Sequence, residues 1–270
     1  MLCGKYSVFE NRITRSGRII SLNIVVAPAE SRNAAPDPVF FLAGGPGQGA
    51  ARLGVSAEDS LMRELRRQRD LVFIDLRGTG NSHPLQCNVT ANRASAQRYF
   101  TDIFEPEAIR ACRTVLEQIA DLRYYTTPVA IEDVEEVRAA LGYRKINLYG
   151  VSYGTLAALQ YLRLHGEHVR SAVLAGVSTP ATKLPLHFAK AAHDTMEQLI
   201  KDCAGDESCH AIFPNLDEDF RTVLEAVDTG PVMFEIMNPL SKISQQVRLS
   251  RGAFVERLRL MLYDHSTSSL

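Results

Sequence analysis

The sequence lacks the features that define several large classes of protein. None of its 270 residues belongs to an apolar run approaching the ~18 residues that a transmembrane helix needs, so no membrane partner is expected. Thirty basic residues against 31 acidic ones give a net charge of −1, which provides no basic surface for nucleic acid. The first 20 residues are interrupted by lysine and arginine and contain no apolar core, so no signal peptide is predicted. Internal repeats and low-complexity tracts are absent. The composition favours a soluble globular protein that binds a small or mid-sized ligand.

Cysteine is also scarce. The chain has five cysteines in 270 residues, too few for a disulfide-dense scaffold. Their odd number leaves at least one unpaired within the chain. Cys203 and Cys209 bracket a polar turn that could close as a short loop, whereas Cys87 lies in a loop segment and Cys112 in a helical pattern. The residues alone leave two states open. The chain holds either five ordinary thiols, or two local disulfides formed in an oxidising compartment.

Strand patterns alternate with helical patterns in the first two thirds of the chain. The β-branched run 19–26 predicts a strand near the N-terminus. Three later runs are short and apolar on both faces, which is typical of buried parallel strands: 39–42, 71–74 and 146–149. One helix is predicted to begin with Thr127 as its N-cap and Pro128 as its first residue, and to stop at Gly142. This alternation predicts a doubly wound, mostly parallel sheet.

The pattern changes after about residue 180. Apolar residues recur at helical spacing in three segments, 192–203, 220–227 and 254–262, and only a short extended stretch, 231–237, interrupts them. We therefore predict an α/β core over residues 1–180, followed by a helical cap or insertion over residues 181–270.

The sharpest motif is the G-x-S-x-G sequence from Gly150 to Gly154, which stands directly after a buried strand and directly before a helix. A nucleophile on such a tight strand-to-helix turn takes strained backbone angles, and the flanking glycines avoid collisions with neighbouring backbone. Ser152 is accordingly predicted to present its hydroxyl at the carboxyl edge of the sheet as a nucleophile.

A glycine-rich loop follows the strand 39–42. It lacks the Lys-Ser or Lys-Thr of a phosphate loop and does not fit G-x-G-x-x-G, and Pro46 removes a backbone donor. Acyl transfer instead needs two N–H donors aimed at the developing oxyanion. The predicted donors are the backbone amides of Gly45, in this loop, and Tyr153, after the nucleophile. A third glycine-rich segment, 75–82, is predicted to shape the pocket floor.

Three segments, FLAGGPGQG, FIDLRGTGNS and NLYGVSYGTLAALQY, resemble the α/β-hydrolase serine aminopeptidases in order and spacing. The similarity is to the prolyl aminopeptidases and, more closely, to the secreted bacterial tripeptidyl aminopeptidases, and it covers most of the chain. It implies an α/β-hydrolase fold and hydrolysis of peptide bonds near a free N-terminus, through an acyl-enzyme on Ser152. Ala43 stands where the prolyl branch usually has histidine, which is a departure from that branch.

The same resemblance has implications for the compartment and the cysteines. Export and local disulfides are usual in the tripeptidyl branch, which favours the pairs Cys87–Cys112 and Cys203–Cys209. The full-length protein is then expected in the periplasm or outside the cell, although the cytoplasm stays possible. Acidic residues of the cap hold the substrate amine in relatives, and Asp194 and Glu197 are available for that role on the first cap helix.

A serine hydrolase also needs a histidine base and an acid that orients it, in the order Ser, acid, His. Six histidines follow Ser152, and none follows a predicted strand: 165, 168, 187, 193, 210 and 265. Each is expected to be structural, with the pair 165 and 168 at a solvated helix end. We therefore expect a fragment whose core is incomplete at the C-terminus and which is catalytically inert alone.

Other functions remain open at this point. An esterase or another acyl hydrolase could use the same scaffold, because function resides in the site and not in the fold. The missing triad partners also allow a non-catalytic fragment. No cluster of His, Cys and Asp has metal-ligand spacing, so neither a metal nor a cofactor is predicted. The expected partner is a peptide or small acyl substrate, and no oligomeric state is predicted.

Overall fold

A computed structural model describes residues 1–55, 60–87, 95–102, 104–183, 185–238 and 241–263. The chain forms two compact units. Unit 1 comprises Met1–Cys87 and Thr114–Thr182, and unit 2 comprises Asn88–Arg113 and Lys183–Leu270. Segment 88–113, which the sequence analysis placed in the core, is thus assigned to the second unit.

Unit 1 is built around a six-stranded sheet. Its strands are β1 (Leu2–Phe9), β2 (Ile19–Ala27), β3 (Val39–Leu42), β4 (Leu71–Ile74), β5 (Ile146–Val151) and β6 (Val169–Ala175). The order across the sheet is β1-β2-β4-β3-β5-β6. The first two strands pair antiparallel, as do β2 and β4, and the remaining neighbours are parallel. The predicted mostly parallel sheet is confirmed, and β6, with residues 170–173 exposed, forms one of its edges.

Helices cover both faces of this sheet. The helices α1 (Ala51–Val55) and α2 (Ser60–Arg66) lie on one face. The unit also contains α4 (Thr127–Ala140), α5 (Tyr153–His165) and the C-terminal part of α3 (Pro106–Ile119), whose residues up to Arg113 are assigned to unit 2. Because successive strand residues point to opposite faces, Phe40 packs into the core beneath α4 and α5, whereas Phe41 packs into the core on the opposite face. Phe41 stacks on Phe73 with ring centroids 4.8 Å apart. Burial on both faces explains why β3 and β4 are apolar throughout.

The start of α4 differs from the prediction by one residue. Thr126 is the N-cap, with extended backbone angles and no capping hydrogen bond from its side chain, and Pro128 lies in the first turn. Thr127, the predicted cap, is already helical, and its hydroxyl lies 2.8 Å from the Tyr153 hydroxyl. The tertiary contact to Tyr153 therefore replaces a local cap.

Unit 2 is mainly helical. It contains α6 (Phe188–Gly205), α7 (Glu207–Ile212), α8 (Leu216–Thr229), β7 (Val232–Met237), β8 (Ser244–Leu249) and α9 (Arg251–Met261). The prediction of a single extended stretch was incomplete, because β7 pairs antiparallel with β8 in a two-stranded sheet.

The cysteines divide into bonded and free ones. Cys203, at the end of α6, is joined to Cys209 of α7 by a disulfide with a Cα–Cα distance of 5.1 Å. Asp206 caps α7 between them by accepting the amide of Cys209 at 2.8 Å. Cys87 and Cys112 are each in disulfide linkage, and Cys3 is an exposed free thiol. Within the described ranges, no helix combines the length and the apolar character that crossing a membrane requires.

Candidate active site

Ser152 occupies the turn between β5 and α5 with φ 53° and ψ −120°. Residues other than glycine rarely adopt a positive φ, so the surrounding structure must hold Ser152 in this conformation. The Ser152 amide donates to the Ala175 carbonyl at 2.9 Å, which ties the turn to the end of β6. Ser152 itself is exposed. The turn thus has the strained form that the G-x-S-x-G motif predicts.

The two glycines of the motif are required by close backbone contacts. A Cβ on Gly150 would lie 2.5 Å from the carbonyl oxygen of Gly154, and a Cβ on Gly154 would lie 1.9 Å from the carbonyl oxygen of Leu42. Both distances are far below van der Waals contact. The helix therefore begins directly against the end of β3, which only glycine permits.

The glycine-rich loop after β3 lies beside this turn. Leu42 is in register with Gly150, so the two parallel strands bring their carboxyl ends to the same edge of the sheet. A Cβ on Gly44 would lie 3.4 Å from Cβ of Ser152. Gly45 follows at an exposed position with φ 112°, and Tyr153 is the first residue of α5, where amides have no partner within the helix. The assignment of Gly45 and Tyr153 as oxyanion donors stays a prediction.

Thr155 is a supporting residue that the sequence analysis missed. Its hydroxyl donates to the Ser152 carbonyl at 2.7 Å and accepts the Ser178 amide at 2.8 Å. It is fully buried and so fixes the elbow against the segment that follows β6. In the sequence, the threonine directly after the second glycine of the motif could have indicated this supporting role.

Asp75 supports the glycine-rich loop in a similar way. Its buried carboxylate accepts the amide of Ala51 at 2.8 Å, the amide of Asn81 at 2.9 Å and the side-chain amide of Asn23 at 2.9 Å. One carboxylate thereby joins the end of the loop after β3 to the loop after β4. The sequence analysis placed the segment 75–82 at the pocket floor without this role, although an aspartate directly after a buried strand was the signal.

Arg77 makes a buried ion pair beneath these loops. Its guanidinium donates to both oxygens of Asp133, at 2.6 and 2.8 Å, and to the carbonyl of Glu10 at 2.8 Å. Burial raises the pKa of Asp133, and the guanidinium groups of Arg77 and Arg12 oppose that rise. The pair connects α4 to the loop after β4 and to the end of β1.

A cavity of about 560 Å³ in unit 1 lies next to the elbow. Its walls come from the loop after β3, the loop after β4 and the start of α4, and they include Pro46, Gln48, Arg77, Thr127 and Tyr153. The cavity therefore contacts both segments that carry the predicted oxyanion donors, and it offers space for a substrate.

A base for Ser152 is not found in unit 1 as far as the structure describes it. His83 contacts the carbonyl of Ile119 at 3.0 Å. His165 and His168 instead face glutamates, each at 3.1 Å. The expectation of a solvated helix end is corrected for His165, since its side chain is only 17% exposed.

The acidic and histidine side chains of α6 make local pairs in unit 2. Asp194 accepts from Lys190 at 2.5 Å, and Glu197 lies 3.4 Å from His193, and all four side chains are exposed. A role for Asp194 or Glu197 in holding a substrate amine stays a prediction. Of the remaining histidines, 187 and 210 are exposed, and 265 lies outside the described residues.

The chain belongs to the α/β hydrolase fold family, whose profile matches residues 37–224. That range includes the elbow, the loop after β3 and the strands between them. The family class agrees with the parallel sheet and with the strand–serine–helix turn.

Several curated relatives carry peptidase names. A tripeptidyl aminopeptidase of Streptomyces coelicolor is 28% identical over 191 residues, 66% of this chain and 35% of that protein. Serine protease Hip1 of Mycobacterium tuberculosis is 25% identical over 225 residues, 77% of this chain and 42% of that protein. A solved proline iminopeptidase of Mycobacterium smegmatis is 16% identical with a TM-score of 0.43, covering 98% of this chain and 69% of that one. The chain spans 35% to 42% of the length of the two curated relatives.

Proposed function

We propose that the chain carries the nucleophile half of a serine peptidase site, with Ser152 as the attacking residue. The observation that carries this proposal is the Ser152 backbone at φ 53° and ψ −120°, on a strand-to-helix turn beside a glycine-rich loop. Such a turn presents the hydroxyl of a nucleophile at the sheet edge. The peptidase names of the relatives favour an amide substrate.

In the proposed reaction, Oγ of Ser152 bonds to the carbonyl carbon of the substrate as a base takes its proton. The carbonyl oxygen becomes an oxyanion, which the amides of Gly45 and Tyr153 stabilise by donating hydrogen bonds. Collapse of this intermediate breaks the C–N bond, and the leaving amine takes the proton. Water then hydrolyses the acyl-enzyme.

The proposed substrate class is a peptide with a free N-terminus, as the names of the relatives suggest. An oxidising compartment is part of the proposal, because the bonded pair Cys203–Cys209 is stable there. Naphthylamides of short peptides with free N-termini should be hydrolysed in preference to N-blocked ones and to p-nitrophenyl esters. Preference for the esters would favour an esterase on the same scaffold.

Residues 1–270 by themselves should react slowly, because no imidazole or carboxylate of the described segments contacts the Ser152 hydroxyl. The experiment uses a fluorophosphonate, whose phosphorus bonds to the serine oxygen as fluoride leaves. Added imidazole can take the serine proton in place of a protein base and should accelerate labelling of Ser152. The control Ser16→Ala, on an exposed turn, should be labelled like the wild type.

Peptide mapping decides the result. Imidazole-dependent labelling that is lost in Ser152→Ala supports the assignment of the nucleophile. No labelling of Ser152 with imidazole, or equal labelling in Ser152→Ala, would overturn it. Stoichiometric labelling without imidazole would show that a base lies within these residues.

A further inference from the structure

Two histidines and two glutamates meet where the C-terminal end of α5 lies against α4. Glu132 and Glu135 are three residues apart on α4 and so share one face of that helix. His165 ends α5, and His168 ends the short 3₁₀ turn that follows it. His165 lies 3.1 Å from Glu132, and His168 lies 3.1 Å from Glu135. The sequence analysis predicted no metal site, because it found no cluster with metal-ligand spacing, and the two glutamates precede the two histidines by about 30 positions.

The donor atoms of this cluster converge. One ligand atom each from Glu135, His165 and His168 lies within 4.8 Å of the other two. Imidazole nitrogen and carboxylate oxygen together are a donor set that suits Zn²⁺ and related divalent transition-metal ions. Glu132 contacts His165 and can serve as a fourth ligand or as its orienting partner.

A second observation points to a ligand between these residues. Nδ1 of His168 is buried and makes no hydrogen bond, although it lies 3.1 Å from Oε1 of Glu135. The ring nitrogen is therefore close to the carboxylate but not directed at it. A buried nitrogen without a hydrogen-bond partner is costly, and a cation bound by both groups would satisfy it.

The carboxylate of Glu135 already accepts other hydrogen bonds. Tyr161 donates its hydroxyl to Oε2 at 2.6 Å, which holds the carboxylate in place beside the two histidines. Arg138 competes with a cation, however, since it donates to both oxygens of Glu135.

We propose that Glu135, His165 and His168 form a binding site for a Zn²⁺-like divalent ion that fastens α4 to the end of α5. The site lies 13 residues along α5 from Ser152, a separation of roughly 20 Å at 1.5 Å per residue. Its role is accordingly structural or regulatory and independent of the chemistry at Ser152.

The test is calorimetric titration of tag-free, chelator-treated chain with Zn²⁺. Every protein carries Cys3→Ser, because the exposed free thiol could bind zinc itself. The expected result is one saturable site per chain, together with a higher melting temperature when zinc is present. His168→Ala should weaken binding at least tenfold. His210→Ala, at an exposed position in unit 2, should leave binding unchanged.

A second variant guards against loss of folding. Arg138→Gln removes the cation that competes for Glu135, so it should bind zinc several-fold more tightly. Cobalt should also give the visible absorption of a tetrahedral site in this variant and in the wild type, and should not in His168→Ala. The absence of a saturable site in the folded wild type, or binding unaffected by both His168→Ala and Arg138→Gln, would overturn the proposal.

Discussion

The contact between Gly154 and β3 makes the variant Gly154→Ala a sharp test of the elbow. The added methyl carbon would lie 1.9 Å from the Leu42 carbonyl oxygen and 3.0 Å from that of Ala43. Favourable contacts between heavy atoms begin at about 3.5 Å, so the start of α5 must move by more than about 1 Å. The atoms that obstruct it belong to the backbone of a central strand and cannot rotate away.

Overpacking of a core costs about 1–3 kcal/mol and occasionally more. Because the obstructing atoms are backbone and the added Cβ is attached rigidly to the helix, we expect Gly154→Ala to destabilise unit 1 by at least about 3 kcal/mol. At roughly 2–4 °C per kcal/mol, the melting temperature should fall by at least about 6 °C. The movement also carries Ser152 away from Gly44, so imidazole-dependent labelling of Ser152 should decrease.

Gly166→Ala is the matched control at the other end of the same helix. Its Cβ would meet nothing within 4 Å, and its φ of −59° suits any residue. We expect a change within about 1 kcal/mol, and a small gain is possible because alanine restricts the unfolded chain. Thermal unfolding followed by circular dichroism compares the three proteins. Equal melting temperatures for both variants and the wild type would refute the close approach of α5 to β3.

Further predictions concern ion pairs and the disulfide. Arg77→Met should cost about 3 kcal/mol, because it removes one buried partner of Asp133 and leaves that carboxylate with Arg12 alone. Arg170→Met should change the unfolding free energy by less than about 1 kcal/mol in urea titrations, because the Arg170 side chain is half exposed and lies 3.5 Å from Asp37. The pKa of Glu135 in the folded protein, about 2, lies below its ordinary value of 4.5, so its contribution to stability is complete above about pH 5 and is lost as the pH falls towards 2. Glu135→Gln should flatten the acid limb of the stability profile in that window, and an unchanged limb would contradict the assignment. Mass mapping without reduction should find the Cys203–Cys209 linked peptide in protein made in an oxidising compartment, and two alkylatable thiols would refute it.

The sequence determined the elements that local chemistry specifies. β3 and β4 were predicted with the bounds that they have, because burial on both faces leaves runs of four apolar residues. The elbow was predictable because the G-x-S-x-G spacing between a buried strand and a helix is visible in the sequence, and Gly150 meets the backbone of Gly154 within the same turn. These are short-range constraints, and a single sequence displays them.

The pairing of the polar strand β8 with β7 was not predictable from the sequence. β8 was missed because its residues, SQQVRL, are mostly polar, and only the partner strand β7 makes them extended. The N-cap of α4 was misplaced by one residue for a related reason, since Thr127 turns its hydroxyl to Tyr153 rather than to its own helix.

The tertiary structure alone decided which distant residues meet. The contacts of Asp75 with Ala51 and Asn23 depend on strand order and register, and neither is encoded within any one segment. The meeting of Glu135 with His165 and His168 depends on how two helices pack on one face of the sheet. Local sequence fixes backbone preferences over a few residues, whereas these contacts exist only after the sheet has ordered its strands and the core has drawn the helices together.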